Sequence, residues 1–496
     1  MQLLDSKPKQ KKKNWVTGAL GGTLLAALVL PLALTGASAA LDGESFLIQA
    51  ENTNDPEITS RSGMLLSDSD GGDDGGEIPI DPDGEIPPVV DPLAKMVSTW
   101  DTSIAGCANI TLPIWRTSGV DVDWGDGVSE SDLGSAGQPA HSYTDTLGEK
   151  TITVSGQFEA WGAGIYSPSK TCITRVTSWG ETGTTDLSQA FSGASNLIEV
   201  KEVPTGVTNM SQMFIAAAKF NSPLNFETSS VVNMSQMLFG ATAFNSPINF
   251  TDTSKVTNMN GMFSGAEAFD QPLNFDTSSV TDMGNMFGAA SAFNSPINFT
   301  STSKVTDMGA MFGSAEAFNQ PLNFDTSSVT DMRNMFSSAT AFNSPINFTD
   351  TSKVTTMNHM FYSAKSFNQP VNFDTSSVTD MGAMFRSDTT SVFNSPINFT
   401  DTSKVTTMGG MFSGAKKFNQ PLNFNTSSVT TMTGMFQSAE KFNQPLNFDT
   451  SSVTDMRNMF IGAYAMLGDL SNWNVEKVTD WSGFGPISAA KMPKFK

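Results

Sequence analysis

Phe318–Phe336 reads FNQPLNFDTSSVTDMRNMF, and the same phrase recurs unchanged at Phe442–Phe460. Near-copies fill the interval and extend well before it. Aligned on Thr-x-Met, units begin at Thr208, Val232 (in place of Thr), Thr257, Thr281, Thr306, Thr330, Thr355, Thr379, Thr406, Thr430 and Thr454. A shorter irregular unit starts at Thr185 and a truncated one at Thr479. Spacings are 24 or 25 residues, with one of 27. Units carrying SPINFTDTSKV alternate with units carrying QPLNFDTSSV, which implies growth by duplication of a two-unit cassette of 49 residues. Such a period predicts a solenoid, in which each coil faces the same two neighbours.

Within one unit, Met283, Met286, Phe287 and Ala290 fall at i, i+3, i+4 and i+7, one face of a helix. Thr281 suits its N-cap, and Asp282 suits the positive helix end. Phe293 continues inward. Pro296 then leads to Ile297-Asn298-Phe299, whose alternation predicts a short strand, and a Ser/Thr turn runs through Val305 to the next cap. One coil has no core of its own. Its apolar side chains, each worth about 1.5–3 kcal/mol when fully buried, stabilise the chain only against adjoining coils.

Twenty-two of the 27 methionines occupy the two Met positions of these units. A copper-binding or redox stripe is one reading, but regular spacing beside Phe points to a core face. The recurring Asn, as in Asn319 and Asn323, is read either as a sugar or ion ladder or as a ladder satisfying backbone groups at the bends. Paired Asp such as Asp325 and Asp331 suggest calcium. However, Thr300 and Asn425 replace the first and Thr356 and Thr431 the second, which favours capping.

The chain is acidic, with a formal charge of −21, and residues 41–96 hold fourteen Asp or Glu against Arg61 and Lys95. Nothing resembles a basic nucleic-acid footprint; the only lysine run is Lys11–Lys13. That run precedes an apolar stretch, Trp15–Leu34, and a small-residue site, Ala37-Ser38-Ala39, which together describe a secretory signal. An uncleaved membrane anchor is the alternative, weakened by Pro31, Gly18, Gly21 and Gly22. The expected domains are a signal or anchor at 1–40, an acidic disordered linker at 41–96, a β-sandwich at 97–184, the repeats at 185–484 and a tail at 485–496. Five of the eight tryptophans lie in the sandwich region, beside alternating runs such as Val120–Trp124 and Lys150–Val154. The two cysteines, Cys107 and Cys172, both lie within it, and export suggests a disulfide, with buried free thiols as the alternative. Two cysteines with the distant His141 and His359 give no plausible zinc spacing.

VDWGDG (122–127) followed by HSYTDTLGEKTITVSG (141–156) resembles the PKD-type immunoglobulin-like domains of surface proteins. That resemblance implies a spacer or binding module in which Asp123–Gly127 form a structural turn. The repeat resembles the BspA-like leucine-rich-repeat surface proteins, in which Met-x-x-Met-Phe helices alternate with an Asn-Trp/Phe-Asp-Thr-Ser segment. Asn472-Trp473-Asn474-Val475 and Val478-Thr479-Asp480 match it most directly. Phe replaces Trp in the inner units, and a Pro precedes the strand. Resemblance over about 185–484 implies a right-handed α/β solenoid at cell surfaces, associated with adhesion. The expected fold class is therefore mixed: a leucine-rich-repeat-like solenoid with one short strand and one short helix per coil, after a small all-β immunoglobulin-like sandwich.

An enzyme needs convergent, unlike groups, and a translational repeat presents like groups at fixed pitch. No catalytic residue, metal site or cofactor is expected. The leading reading is an exported bacterial surface protein, an adhesin binding a host or neighbouring-cell protein or glycan by multivalent contact. The alternative is a structural envelope spacer without a dedicated ligand. Nucleic acid is not an expected partner, and a membrane is one only through an uncleaved N-terminal segment. Candidate contacts are the places where units differ: Arg333, His359, Arg386, Asp388, Lys416 and Lys417. If the signal is processed, N-terminal sequencing of exported protein will begin after Ala39 or Ala40; a sequence beginning at Met1 would refute cleavage.

Overall fold

The computed structural model describes residues 95–496 except 135–137, 147, 163, 165–166 and 389. The expected signal segment and, apart from Lys95 and Met96, the acidic spacer lie outside the described residues. The first part is built on one sheet: β1 (Met96–Asp101), β3 (Ile114–Asp123), β4 (Ser129–Leu133), β6 (Glu149–Trp161), β7 (Ile173–Ser178) and β8 (Glu199–Val200). The strand order is β4-β3-β6-β1-β7-β8. Only β2 (Asn109–Thr111) and β5 (Ala140–Ser142) form a second, two-stranded ribbon. The expected immunoglobulin-like sandwich is thus corrected to a six-stranded sheet with a small ribbon. Its outermost strand β8 lies among the repeats and pairs in parallel with β7. Asp186, in the first unit, likewise bridges Ala160 of β6, so hydrogen bonding runs unbroken from sheet to repeats. Cys107 and Cys172 are joined by a disulfide.

The motif around Gly125 shows why that turn is glycine-rich. Gly125 has φ 75°, and a Cβ there would lie 2.3 Å from the carbonyl oxygen of Thr151. Asp123 accepts from the Gly125 amide and Asp126 from the Val128 amide. His141 stacks on Trp124 at 5.1 Å and meets Asp126 at 2.8 Å, while the Tyr143 hydroxyl donates to the Trp124 carbonyl.

The repeats overturn the expected α/β solenoid. Among the described residues the single helical element is a five-residue 3-10 turn, Pro168–Cys172, which lies before the repeats. An α-helix needs each amide to reach back four residues within its own segment. Here alternate amides leave the coil instead. Asn285, Phe287 and Ala289 donate to Gly309, Met311 and Gly313 of the next coil, at 2.7, 2.9 and 2.7 Å. Between them, Met286, Gly288 and Ala290 donate three residues back, to Met283, Asn285 and Phe287. Each unit therefore runs as consecutive β-turns stitched to the following unit. Asn285 (φ 56°) and Ala289 (φ 54°) occupy the third turn position, where type II geometry demands positive φ. The first of these columns is occupied in successive units by Gln189, Gln212, Gln236, Gly261, Asn285, Ala310, Asn334, His359, Ala383, Gly410, Gly434, Asn458 and Gly483, all left-handed.

The inward residues nevertheless match the helical list, because turns three and four residues apart place Met283, Met286, Phe287 and Ala290 on one side. All four are fully buried, and so is every methionine of the two Met columns. Two Phe columns run through this core. Phe287 stacks on Phe293 within its coil at 4.2 Å and on Phe312 of the next at 5.5 Å. A buried Thr column adds a polar seam, in which the Thr302 hydroxyl donates to the Asp325 carbonyl and that of Thr351 to the Asp374 carbonyl, both at 2.9 Å. The Asn after the inward Phe, replaced once by Asp270, forms a further ladder: the amide of Asn343 donates to the Asn319 side chain, and that of Asn368 to Asn343, each at 2.8 Å. Repetition lets one unmatched group in a coil find its partner one coil away.

The strand side behaves differently from the turn side. Isolated parallel bridges join Leu224 to Ile248, Leu273 to Ile297, Leu322 to Ile346 and Val371 to Ile397, always from a 24-residue unit to the longer unit after it, of 25 residues or, for Ile397, 27. No backbone hydrogen bond joins the strand segments of Ile297 and Leu322, or those of Ile248 and Leu273, among the described residues. The extra residue of the longer unit makes the difference. Thr300 donates to Asp276 and Thr349 to Asp325, which ties each longer unit to the shorter one before it. Asn298 donates to Asn274 and Asn347 to Asn323 in the same pairwise way. The 49-residue cassette is thus a physical unit of two coils.

In the irregular unit Thr379–Val405 the insertion stays outside the core. Asp388 is exposed and meets Lys365 at 3.4 Å, and Phe393 rejoins its column between Phe367 (5.8 Å) and Phe418 (5.6 Å). The bulge changes what the following coil tolerates. A Cβ on Gly414 would lie 1.9 Å from the Ser387 carbonyl oxygen, whereas one on Gly265, in the same column, would come no closer than 3.5 Å to Gly240. Gly414→Ala is accordingly expected to destabilise the protein by at least about 2 kcal/mol in denaturant titration. In contrast, Ala310→Gly, which relieves a left-handed alanine (φ 53°), is expected to stabilise it by about 0.5–1 kcal/mol. Equal effects of the two would contradict the turn assignment.

Candidate functional site

The sequence-variable residues lie along the turn side and are not gathered into one site. Arg333 is held by Asp331, and Lys416 meets Glu440 at 2.7 Å. His359 is a left-handed turn residue whose ring lies 5.5 Å from Tyr362. Burial pushes its imidazole below the ordinary value; Arg386 acts in the same direction and Asp380 against it. Arg386 and Lys417 are exposed. Asp388 is held in its charged form by the Thr390 hydroxyl and by Lys365. Asp388 and Lys416 thus pair with residues one coil away, whereas Arg333 pairs within its own coil.

The Asp column beside them has a local purpose. Asp282 accepts from the Gly284 amide and Asp307 from the Gly309 amide, closing the first turn of each coil. This replaces the helix-capping role expected from sequence. Asp282, Asp307 and Asp331 follow one another in the column, joined by parallel bridges. Burial pushes the Asp307 carboxyl above its usual range; the Gly309 amide and Arg333 oppose the shift, and its two Asp neighbours add to it.

The strand side carries a feature absent from the sequence-variable candidates. Where two cassettes meet, the unbonded strand segments leave a cleft. The one between Ile297–Thr302 and Pro321–Asp325 encloses about 560 Å³. Leu322 and Phe324 are buried, whereas Ile297 and Phe299 are only half-buried and form an apolar wall. Asn298 and Asn323 are exposed at the rim. The same half-buried pair recurs as Ile248 and Phe250, and as Ile346 and Phe348. The signal that could have found these clefts is the 24/25 alternation itself, since unequal units cannot pair equally on both sides. A separate cavity of about 450 Å³, lined by Gln157, Trp179, Glu181 and Glu202, lies where the sheet meets the repeats.

A translational array of coils bonded forward on one side, with open junctions recurring on the other, defines a repeat protein. The family described as "Mycoplasma protein of unknown function, DUF285" matches residues 185–299, 249–324, 291–392 and 387–489, and the chain belongs to that family. These four matches span 185–489, more than half of the chain. No curated protein matches it, and no solved structure does.

Asp307→Asn tests the electrostatics of the turn column. A carboxyl raised on folding binds its proton more tightly in the folded state, so stability falls as pH rises from the ordinary Asp range through the raised value. Its penalty is complete at neutral pH. The substitution keeps the oxygen that accepts from Gly309 and follows Asn209, Asn233 and Asn258 of the same column. Thermal melts should show a gain at pH 7 that disappears below the ordinary Asp range; a gain equal at both pH values would refute the assignment.

Proposed function

We propose that this chain is an exported bacterial surface protein that holds a repeating ligand, glycan or protein, by multivalent contact along a solenoid of turns. The observation that carries this reading is the open strand-side junction, which recurs at two-coil intervals from Ile248 to Leu422 and holds a cleft between Ile297 and Leu322. A weak contact repeated along a rigid array gains avidity that no single contact supplies, provided the ligand repeats as well. The basic and apolar N-terminal segment with its Ala-Ser-Ala site supports export. The resemblance to BspA-like surface proteins supports adhesion. A catalytic role is not proposed.

A structural envelope role is favoured by a different observation, the turn side, where Lys365 meets Asp388 and Lys416 meets Glu440 of the next coil and backbone amides bond forward. Labelled full-length exported protein, applied to arrays of glycans and of matrix proteins, separates the two. Saturable retention on a repeating glycan or a protein is expected. Silence on both arrays would overturn the binding role and leave the structural one.

A further inference from the structure

We infer that the row of inter-cassette clefts is a binding site for a linear, uncharged polysaccharide, lying on the strand side and engaged once per two coils. This rests on the binding role proposed above and names its face and its ligand class. In the cleft between Ile297 and Leu322, the carbonyls of Ile297 and Phe299 and the amides of Asn323 and Asp325 have no hydrogen-bond partner among the described residues. These are the groups that would have paired across a continuous sheet, and they face each other in parallel segments. A ligand filling the cleft must therefore supply donors and acceptors side by side.

Two ligand classes do so, an extended peptide and a polyol. Geometry decides between them. A strand inserted between two coils would need about 4.8 Å on each side, close to 10 Å in all. Phe299 and Phe324 hold the coils together at the base of the cleft, with ring centroids 6.2 Å apart. The gap is thus a wedge, open outward and too narrow at its floor for a peptide strand. A sugar ring enters a wedge by one edge, and its hydroxyls both donate and accept. Its C–H face finds the half-buried Ile297 and Phe299.

Charge narrows the class further. Asp325 stands at the rim and is kept ionised by the Ser327 amide and side chain and by Thr349, so it repels an anionic glycan. Its Oδ1 already accepts from Ser327 at 3.0 Å and from Thr349 at 3.1 Å, so a single carboxylate oxygen is left for a cation. Corresponding segments meet without backbone bonds at Ile248 and Leu273, at Ile346 and Val371, and at Ile397 and Leu422. Successive clefts are separated by two coils, about 10 Å at sheet spacing. That interval is comparable to the two-sugar step of an extended glycan, so one stiff chain laid along the array reaches each cleft in turn.

The test is isothermal titration of the full exported chain with linear neutral oligosaccharides of glucose, N-acetylglucosamine, galactose and mannose, from the disaccharide to the octasaccharide. One series is expected to tighten roughly tenfold for each added pair of sugars until the row is covered. Ile248→Ala, Ile297→Ala and Ile346→Ala together should weaken the longest ligand by at least about tenfold. The turn-side pair Arg333→Ala and His359→Ala should leave it unchanged. If the triple variant melts early, Ser301→Trp, which fills one cleft from its rim, should remove one step of the series. Affinity independent of length, or indifferent to these substitutions, would overturn the inference. So would binding confined to a protein or a charged glycan on the arrays, which leaves the proposed binding role standing. Silence on every surface removes both.

Discussion

The whole array depends on how backbone amides are divided on the turn side. In each coil, alternate amides close turns within the unit, and the rest reach forward to the next coil. A helix would have turned every amide beyond its first four onto its own carbonyls and left this side of neighbouring coils joined mainly by side-chain packing. Dividing them makes every coil a template for its successor. The division has a conformational requirement, two left-handed residues four apart in nearly every unit. Residues other than glycine fill most of these places, at a cost of about 1–2 kcal/mol each. The forward hydrogen bonds and the buried Met and Phe columns offset that cost at every junction. Identity between copies follows directly, because a residue fitting one junction fits them all.

A second constraint acts on the opposite side and has a period of two coils. The longer unit carries one more residue between its strand and the buried Thr, as Thr300 shows when it reaches back to Asp276. That bond, with the Asn298 to Asn274 contact, pins a longer unit to the shorter one before it. The shorter unit has no equivalent residue to reach back with, so the next junction on this side stays open. The Thr and Asn ladders and the Phe columns still cross it, so the core is continuous while the surface is notched. Duplication of a two-unit cassette therefore multiplied a notch as well as length.

Much of this was legible in the sequence. The period, the unit boundaries, the inward list and the return of Phe393 after the insertion all follow from where apolar residues recur. The helix does not, because a spacing of i, i+3, i+4 and i+7 is shared by a helical face and by consecutive turns of this kind. The decisive evidence lay at the residue two after the first Met, where Gly261, Gly410, Gly434 and Gly483 alternate with Asn285, Asn334 and Asn458. Glycine and asparagine are the residues that accept a left-handed backbone most readily, and their recurrence in one column argues against a helix. The sheet was legible as strands but not in its order. Its outer strand β8 comes from a segment whose pattern belongs to the repeats, and no periodicity marks which element a parallel neighbour will join. The clefts were hidden because the strand phrase looks alike in every unit, and the difference lies in pairing rather than in side chains.

The insertion at Thr379–Val405 shows how an exact repeat absorbs an error. Its two additional residues leave Phe393 in register, but they alter the backbone at Ser387, which lacks the left-handed conformation of its counterparts Ser338 and Ser363. The Ser387 carbonyl then points at Gly414 in the next coil, where no side chain fits. A local change is thus answered one coil later by a glycine and no further, since Phe418 and Phe442 stack at 5.9 Å with their planes nearly parallel. Strain in such an array is transmitted to nearest neighbours alone, which is how an irregular unit persists amid near-identical ones. The same locality confines function: distant coils contribute to one event only through a ligand long enough to touch them both.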